Sequence, residues 1–172
     1  DYRTMKAGSA SELSAEDQAH NDTVRKRLLD QLDVEKLGRL ALTDHWDKLT
    51  PQQRTEFLST LRTVLEHRSF KNIKGAKEHF EVQYDGVDEL PEGDALVKTI
   101  LQVKNDEFYV DFKLEPHDGS WAIYDVVTDD VSTIRNYRDQ FNKIIAEKGF
   151  DELLHRMRDN LLEEPATKKE PG

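Results

Sequence analysis

The chain has 172 residues, no cysteine, 25 Lys and Arg against 35 Asp and Glu, and a formal net charge of −10. That length suffices for one core without covalent staples. The missing cysteine excludes disulfides, thiolate metal sites and cysteine nucleophiles, and the acidic balance argues against a nucleic-acid partner. No apolar run approaches the ~18 residues that span a bilayer. No signal-peptide core is present either, so an exported protein would carry its leader outside this chain. Lys and Arg number 11 against 11 acids over 11–75, 4 against 15 over 76–130 and 6 against 5 over 131–160. The imbalance therefore sits in the middle third. Acids there either guard strand edges against association or form a docking face for a basic partner.

The chain reads as helices, then strands, then helices. Ser14 and Asp17 have capping-box spacing ahead of a helix with Val24, Leu28, Leu29 and Leu32 on its apolar positions. Asp33 caps a short second helix bearing Val34, Leu37, Leu40 and Ala41. Thr50-Pro51-Gln52-Gln53 is a firmer start, with reciprocal side-chain caps and proline at the first helical position. The stripe Phe57, Leu58, Leu61, Val64 and Leu65 follows and runs toward Phe70.

After Gly75 the period changes to two. A strand over 79–84 ends at Asp85-Gly86, and an acidic loop passes through Pro91 and Gly93. Strands over 95–104, 107–115 and 120–127 follow, separated by Asn105-Asp106 and Asp118-Gly119, both suited to tight hairpins. In the middle one, Phe108, Val110, Phe112 and Leu114 share a face, with Tyr109, Asp111 and Lys113 opposite. A helix then carries Val131, Ile134, Tyr137, Phe141, Ile144 and Ile145, capped by Ser132 or Asp130 and stopped by Gly149. A last helix carries Phe150, Leu153, Leu154, Met157 and Leu161. The expected organisation is a flexible start over 1–13, one domain over 14–162 and a disordered tail over 163–172. The fold class is α+β: a nuclear-transport-factor-like or cystatin-like cone, with a curved antiparallel sheet wrapped by N- and C-terminal helices around an apolar pocket.

Signatures of chemistry are sparse. Six dispersed histidines lack the spacing of a helical zinc site, His45 beside Trp46 reads as structural, and no metal site or cofactor is expected. There is neither a glycine-rich phosphate loop nor a Gly-x-Ser-x-Gly elbow. Asp125, Asp129 and Asp130 lack the ligand spacing of a calcium loop and suit a helix N-terminus instead. Asp111 falls opposite the apolar face, so a catalytic reading rests on Asp125 alone. The chain is therefore read as a non-enzyme. The alternatives are a conical enzyme acting on a small hydrophobic ligand through Asp125, or an interaction module with an acidic docking face.

Two segments carry a family resemblance. The first is Asp33-Val-Glu-Lys-Leu-Gly-Arg-Leu-Ala-Leu-Thr-Asp-His-Trp46 with Leu49-Thr-Pro-Gln-Gln-Arg-Thr-Glu-Phe57. The second is Gly119-Ser-Trp-Ala-Ile-Tyr-Asp-Val-Val127 with Val131-Ser132 and Asn136-Tyr-Arg-Asp-Gln-Phe141. The chain resembles the MlaC, or toluene-tolerance, family of periplasmic phospholipid carriers over roughly 24–161. The resemblance implies a monomeric periplasmic protein whose cargo is phospholipid. Its implied partners are an outer-membrane lipoprotein complex and an inner-membrane complex of an MCE-domain protein with an ABC transporter. It also implies acyl-chain contacts at Leu40, Trp46, Phe57, Tyr124, Val126, Val131, Ile134, Tyr137 and Phe141. Strand parity and helical phase add Leu61, Leu65, Leu101, Val110 and Phe112. A void near ~1,000 Å³ would cost more than a domain's whole stability, so the expectation is that the lipid-free form partly collapses or that the protein purifies with lipid.

Overall fold

The structure is a computed structural model that describes residues 14–75, 80–103 and 106–163. The expected flexible start over 1–13 and, of the expected disordered tail over 163–172, all but Glu163 lie outside the described residues, as do His79, Lys104, Asn105 and the side chains of Val24, Leu28 and Phe70. Glu163 itself is hydrogen-bonded to Gln140. Among the described residues the architecture is α+β, with six α-helices and a five-stranded antiparallel curved sheet.

Capping chemistry starts the first helices. Ser14 Oγ accepts the N–H of Asp17 at 3.1 Å and opens α1, Ala15–Asp30. Asp33 accepts the N–H of Lys36 at 2.7 Å and opens α2, Val34–Leu42. A five-residue helix follows: α3, Asp44–Lys48, turns Trp46 inward. At α4, Pro51–Gly75, the capping box closes both ways. Gln53 donates its N–H to Thr50 Oγ1 at 3.2 Å, and Thr50 donates its own to Gln53 Oε1 at 3.0 Å.

The strands form a meander, each paired to the next. They are β1 Phe80–Glu89, β2 Ala95–Val103, β3 Asp106–His117, β4 Ser120–Thr128 and β5 Val131–Ser132. Asp118 and Gly119, with φ of 46° and 78°, make the two-residue turn between the paired His117 and Ser120.

Two expectations are corrected here. Asp85-Gly86 does not end β1: Tyr84 pairs with Thr99 and Gly86 with Lys98, so Asp85 is the extra residue of a bulge and pairing continues to Glu89. Val131 is not helical. Asp129 and Asp130 both take left-handed backbone, with φ of 47° and 66°, and reverse the chain so that Val131 pairs with Thr128. Asp129 also accepts the Tyr109 N–H at 3.0 Å, which ties it to β3 rather than to a helix end. Ser132 is the cap that opens α5, Thr133–Lys148, accepting the Arg135 N–H at 3.1 Å.

Gly149, at φ 89°, separates α5 from α6, Phe150–Arg158. Because α6 ends at Arg158 and Asn160 is left-handed, Leu161 is 60% exposed and Leu162 turns inward in its place. Glu163 is held at both backbone groups by the Gln140 amide, at 2.9 and 3.0 Å.

Among the described residues the buried hydrophobic cluster comes from helices α2 to α6 and Leu162, with no fully buried strand residue among its members. Phe57, Leu61, Phe141 and Leu153 are fully enclosed, each worth about 1.5–3 kcal/mol by area. Phe57 meets Phe141 edge-on at 5.8 Å, and Tyr137 stacks on Phe141 at 5.3 Å. Gly38 lets α2 reach α4, since a Cβ there would stand 2.9 Å from the Phe57 ring.

Candidate functional site

Register places the apolar residues of four strands on one face of the sheet. Leu101 pairs with Phe108, Thr99 with Val110, and Val97 with Phe112. Phe112 in turn pairs with Val126, and Val110 with Thr128, whose other neighbour is Val131. These pairs make an apolar floor across β2, β3, β4 and β5. Its side chains are half-buried and lie outside the helical cluster. Thr99 interrupts the floor without leaving a loose hydroxyl, because it donates to the Val110 carbonyl at 2.5 Å. The opposite face carries Lys98, Gln102, Glu107, Tyr109, Asp111 and Lys113.

The fold divides the expected lipid contacts into two groups. Trp46, Phe57, Leu61, Leu65, Ile134, Tyr137 and Phe141 are buried in the helical cluster, where they fill one another's surroundings; Leu40 and Tyr124 pack against its margin. Leu101, Val110, Phe112, Val126 and Val131 lie on the sheet floor. Val97, Phe108 and Leu114 share that floor by register and were outside the expected set. The alternation of β3 already marked Phe108 and Leu114. A separate cleft of about 390 Å³ opens between α4 and α6 beside Ser59, Thr63, His67, Met157 and Arg158, and none of the expected contacts lines it.

Sheet and helices are joined mainly through β4 and β5. The backbone of Ile123 bonds that of Gln31 and Asp33 at 2.8 and 2.7 Å, closing the outer edge of β4. Asp125, 1% exposed, accepts from the Ser132 hydroxyl at 2.7 Å and the Ile134 N–H at 3.1 Å, with Lys113 at 3.3 Å. Both oxygens are engaged at the N-terminus of α5, which gives this carboxylate a structural task.

Lys36 provides a second join that nothing in the sequence pattern marked. It ion-pairs with Glu115 of β3, lies 3.7 Å from Asp94 and stands 4.0 Å over the Tyr124 ring. Burial, and then the Asp94 carboxylate beside it, push the Tyr124 phenol up to about 12. Tyr124 thus presents a ring to the core margin and keeps a protonated hydroxyl among acids. Among the described residues no cluster of His, Asp and Glu is arranged to hold a metal, and no helix is long and apolar enough to cross a membrane.

The sequence profile of the MlaC protein family matches residues 3–159. No curated protein matches the chain. Among solved structures, it is similar to a phospholipid-binding protein from Ralstonia solanacearum, determined in complex with a phospholipid at 1.53 Å resolution. The two share 17% identity over 85% of this chain and 84% of that one, with a TM-score of 0.72. At that identity the likeness is one of fold.

Proposed function

Because this chain belongs to the MlaC protein family, we propose that it binds phospholipid non-catalytically, laying the acyl chains along the apolar floor of the sheet. The observation that carries the reading is that floor: Leu101, Val110, Phe112 and Val126 are aligned by register, half-buried and outside the packed helical cluster. The Ralstonia relative of the same fold, with its bound phospholipid, supports it. In this reading Trp46, Phe57, Leu61, Leu65, Ile134, Tyr137 and Phe141 belong to the packed helical cluster rather than to the floor, with Leu40 and Tyr124 at the cluster's margin and Val131 at the β5 end of the floor.

Energetics make such a protein a carrier rather than a sink. A two-chain phospholipid buries on the order of 30 CH₂ groups at ~0.8 kcal/mol each, or ~24 kcal/mol. A membrane offers nearly the same gain, so exchange runs close to balance and release depends on a partner that captures the lipid. The headgroup phosphate stays in water, because burying it would demand paired cations. Arg138 is already engaged with the Leu40 carbonyl at 3.2 Å. In this reading the protein is a periplasmic monomer moving lipid between an outer-membrane lipoprotein complex and an inner-membrane MCE-domain and ABC transporter complex. It needs no cofactor.

Native mass spectrometry of the purified protein, followed by extraction and lipid identification, tests the reading. A stoichiometric phospholipid, or its uptake from labelled vesicles, is the expected result. Protein that neither retains nor acquires lipid would overturn it.

A further inference from the structure

We propose that the free edge of β1 is a docking site for an extended basic segment of a partner protein, which joins the sheet as an added strand. The sheet ends at β1, and among the described residues no strand pairs with its outer side. In an antiparallel ladder, alternate residues aim their N–H and C=O groups away from the neighbouring strand. Over the ten residues Phe80–Glu89 those groups form a template for pairing. The far edge is different: β4 is bonded there to Gln31 and Asp33, and β5 has only two residues.

Side chains on β1 select the occupant. Residues 80–94 hold six acids and no Lys or Arg. Asp85, Asp88 and Glu89 are exposed, and of these Asp88 meets Lys98 at 2.6 Å. Tyr84 and Val87, 66% and 48% exposed, pair with Thr99 and Val97 and so continue the apolar floor out to the edge. Asp88 pairs with Leu96 on the opposite face. A strand alternating apolar and basic residues would set the first beside Tyr84 and Val87 and the second beside Asp88, with Glu89 at the strand end and Asp85 at the bulge adding negative charge along the same edge. A second copy of this chain would oppose acids to acids on a molecule of net charge −10. The carboxylates therefore discourage self-pairing while leaving the edge open to positive charge. This inference does not depend on the lipid reading.

The test uses the full chain and a fluorescent peptide of about eight alternating lysine and valine residues, followed by anisotropy at low salt. Saturable binding is expected. Reversal of the three acids (D85K, D88K and E89K together) should weaken it roughly tenfold or more. Replacing alternate peptide amides by esters, which keeps the charge and removes strand hydrogen bonds, should weaken binding to the unmodified protein as well. Absence of saturable binding, or equal binding of the amide and ester peptides, would overturn the proposal. Sedimentation showing low-salt self-association that Val87→Lys abolishes would also overturn it, by assigning the edge to a second copy.

Discussion

Ser132 donates its hydroxyl to the buried Asp125 carboxylate at 2.7 Å while the same oxygen accepts the Arg135 N–H at 3.1 Å. One short relay thus links the last full strand to the first turn of α5, and Asp125 reaches the Ile134 N–H directly. Removing the carboxylate with Asp125→Ala strands a buried N–H and the charge of Lys113. We expect a loss of about 3 kcal/mol in urea unfolding, with Ser132→Ala costing about 1 kcal/mol. Lipid stoichiometry of the folded fraction should be unchanged in both, which separates this structural task from any chemistry.

The two apolar layers should respond differently to substitution. Phe141→Ala opens a cavity in the helical cluster and should cost about 3–5 kcal/mol. Phe112→Asp sits on the half-buried floor and should cost about 1 kcal/mol, yet abolish retained lipid in native mass spectrometry. Full lipid occupancy in Phe112→Asp would remove the floor from the proposed site.

Close approach of α2 to α4 rests on Gly38. A side chain there meets Phe57, Leu58 and Leu61, at 2.9, 3.1 and 3.1 Å from the first carbon alone. Gly38→Leu should lose at least the upper end of the ~1–3 kcal/mol typical of overpacking, seen as a lower denaturant midpoint.

Tyr124 ties stability to alkaline pH. Its phenol is held up to about 12 in the folded protein, against roughly 10 in an unfolded chain. The folded state therefore favours the protonated form. That contribution is complete below pH ~10 and is lost as pH rises toward ~12. The difference in stability between the unmodified protein and Tyr124→Phe should be flat at neutral pH and shrink across that window. A constant difference would mean that the phenol titrates normally.

Local chemistry was legible wherever a side chain closes on its own neighbourhood. Thr50 and Gln53, Asp33, and Asp118-Gly119 each act within four residues, and each acts as its spacing requires. Family membership and the α+β class were also readable, because the motif around Trp121–Val127 joins strand to helix. Legibility failed where distant residues decide. Gly86 looks like a strand end until β2 supplies a partner for Val87. Val131 shares helical phase with Ile134, yet two left-handed aspartates before it pair it with Thr128. Periodicity likewise marks Phe112 and Phe141 alike as inward-facing. It cannot say that one fills a packed cluster and the other floors a half-open sheet.

The concentration of the largest buried cluster in the helices has a consequence for hydrogen exchange. Amides of α4 and α5 around Phe57 and Phe141 sit in that interior and should exchange only through global unfolding. Among the described residues strands β1 to β3 contribute none to that cluster and reach it chiefly through β4 and the Lys36–Glu115 pair, so their amides should open at lower free energy, as a unit. Two tiers of protection are thus written into one fold, and a ligand covering the sheet would raise the lower tier toward the upper one.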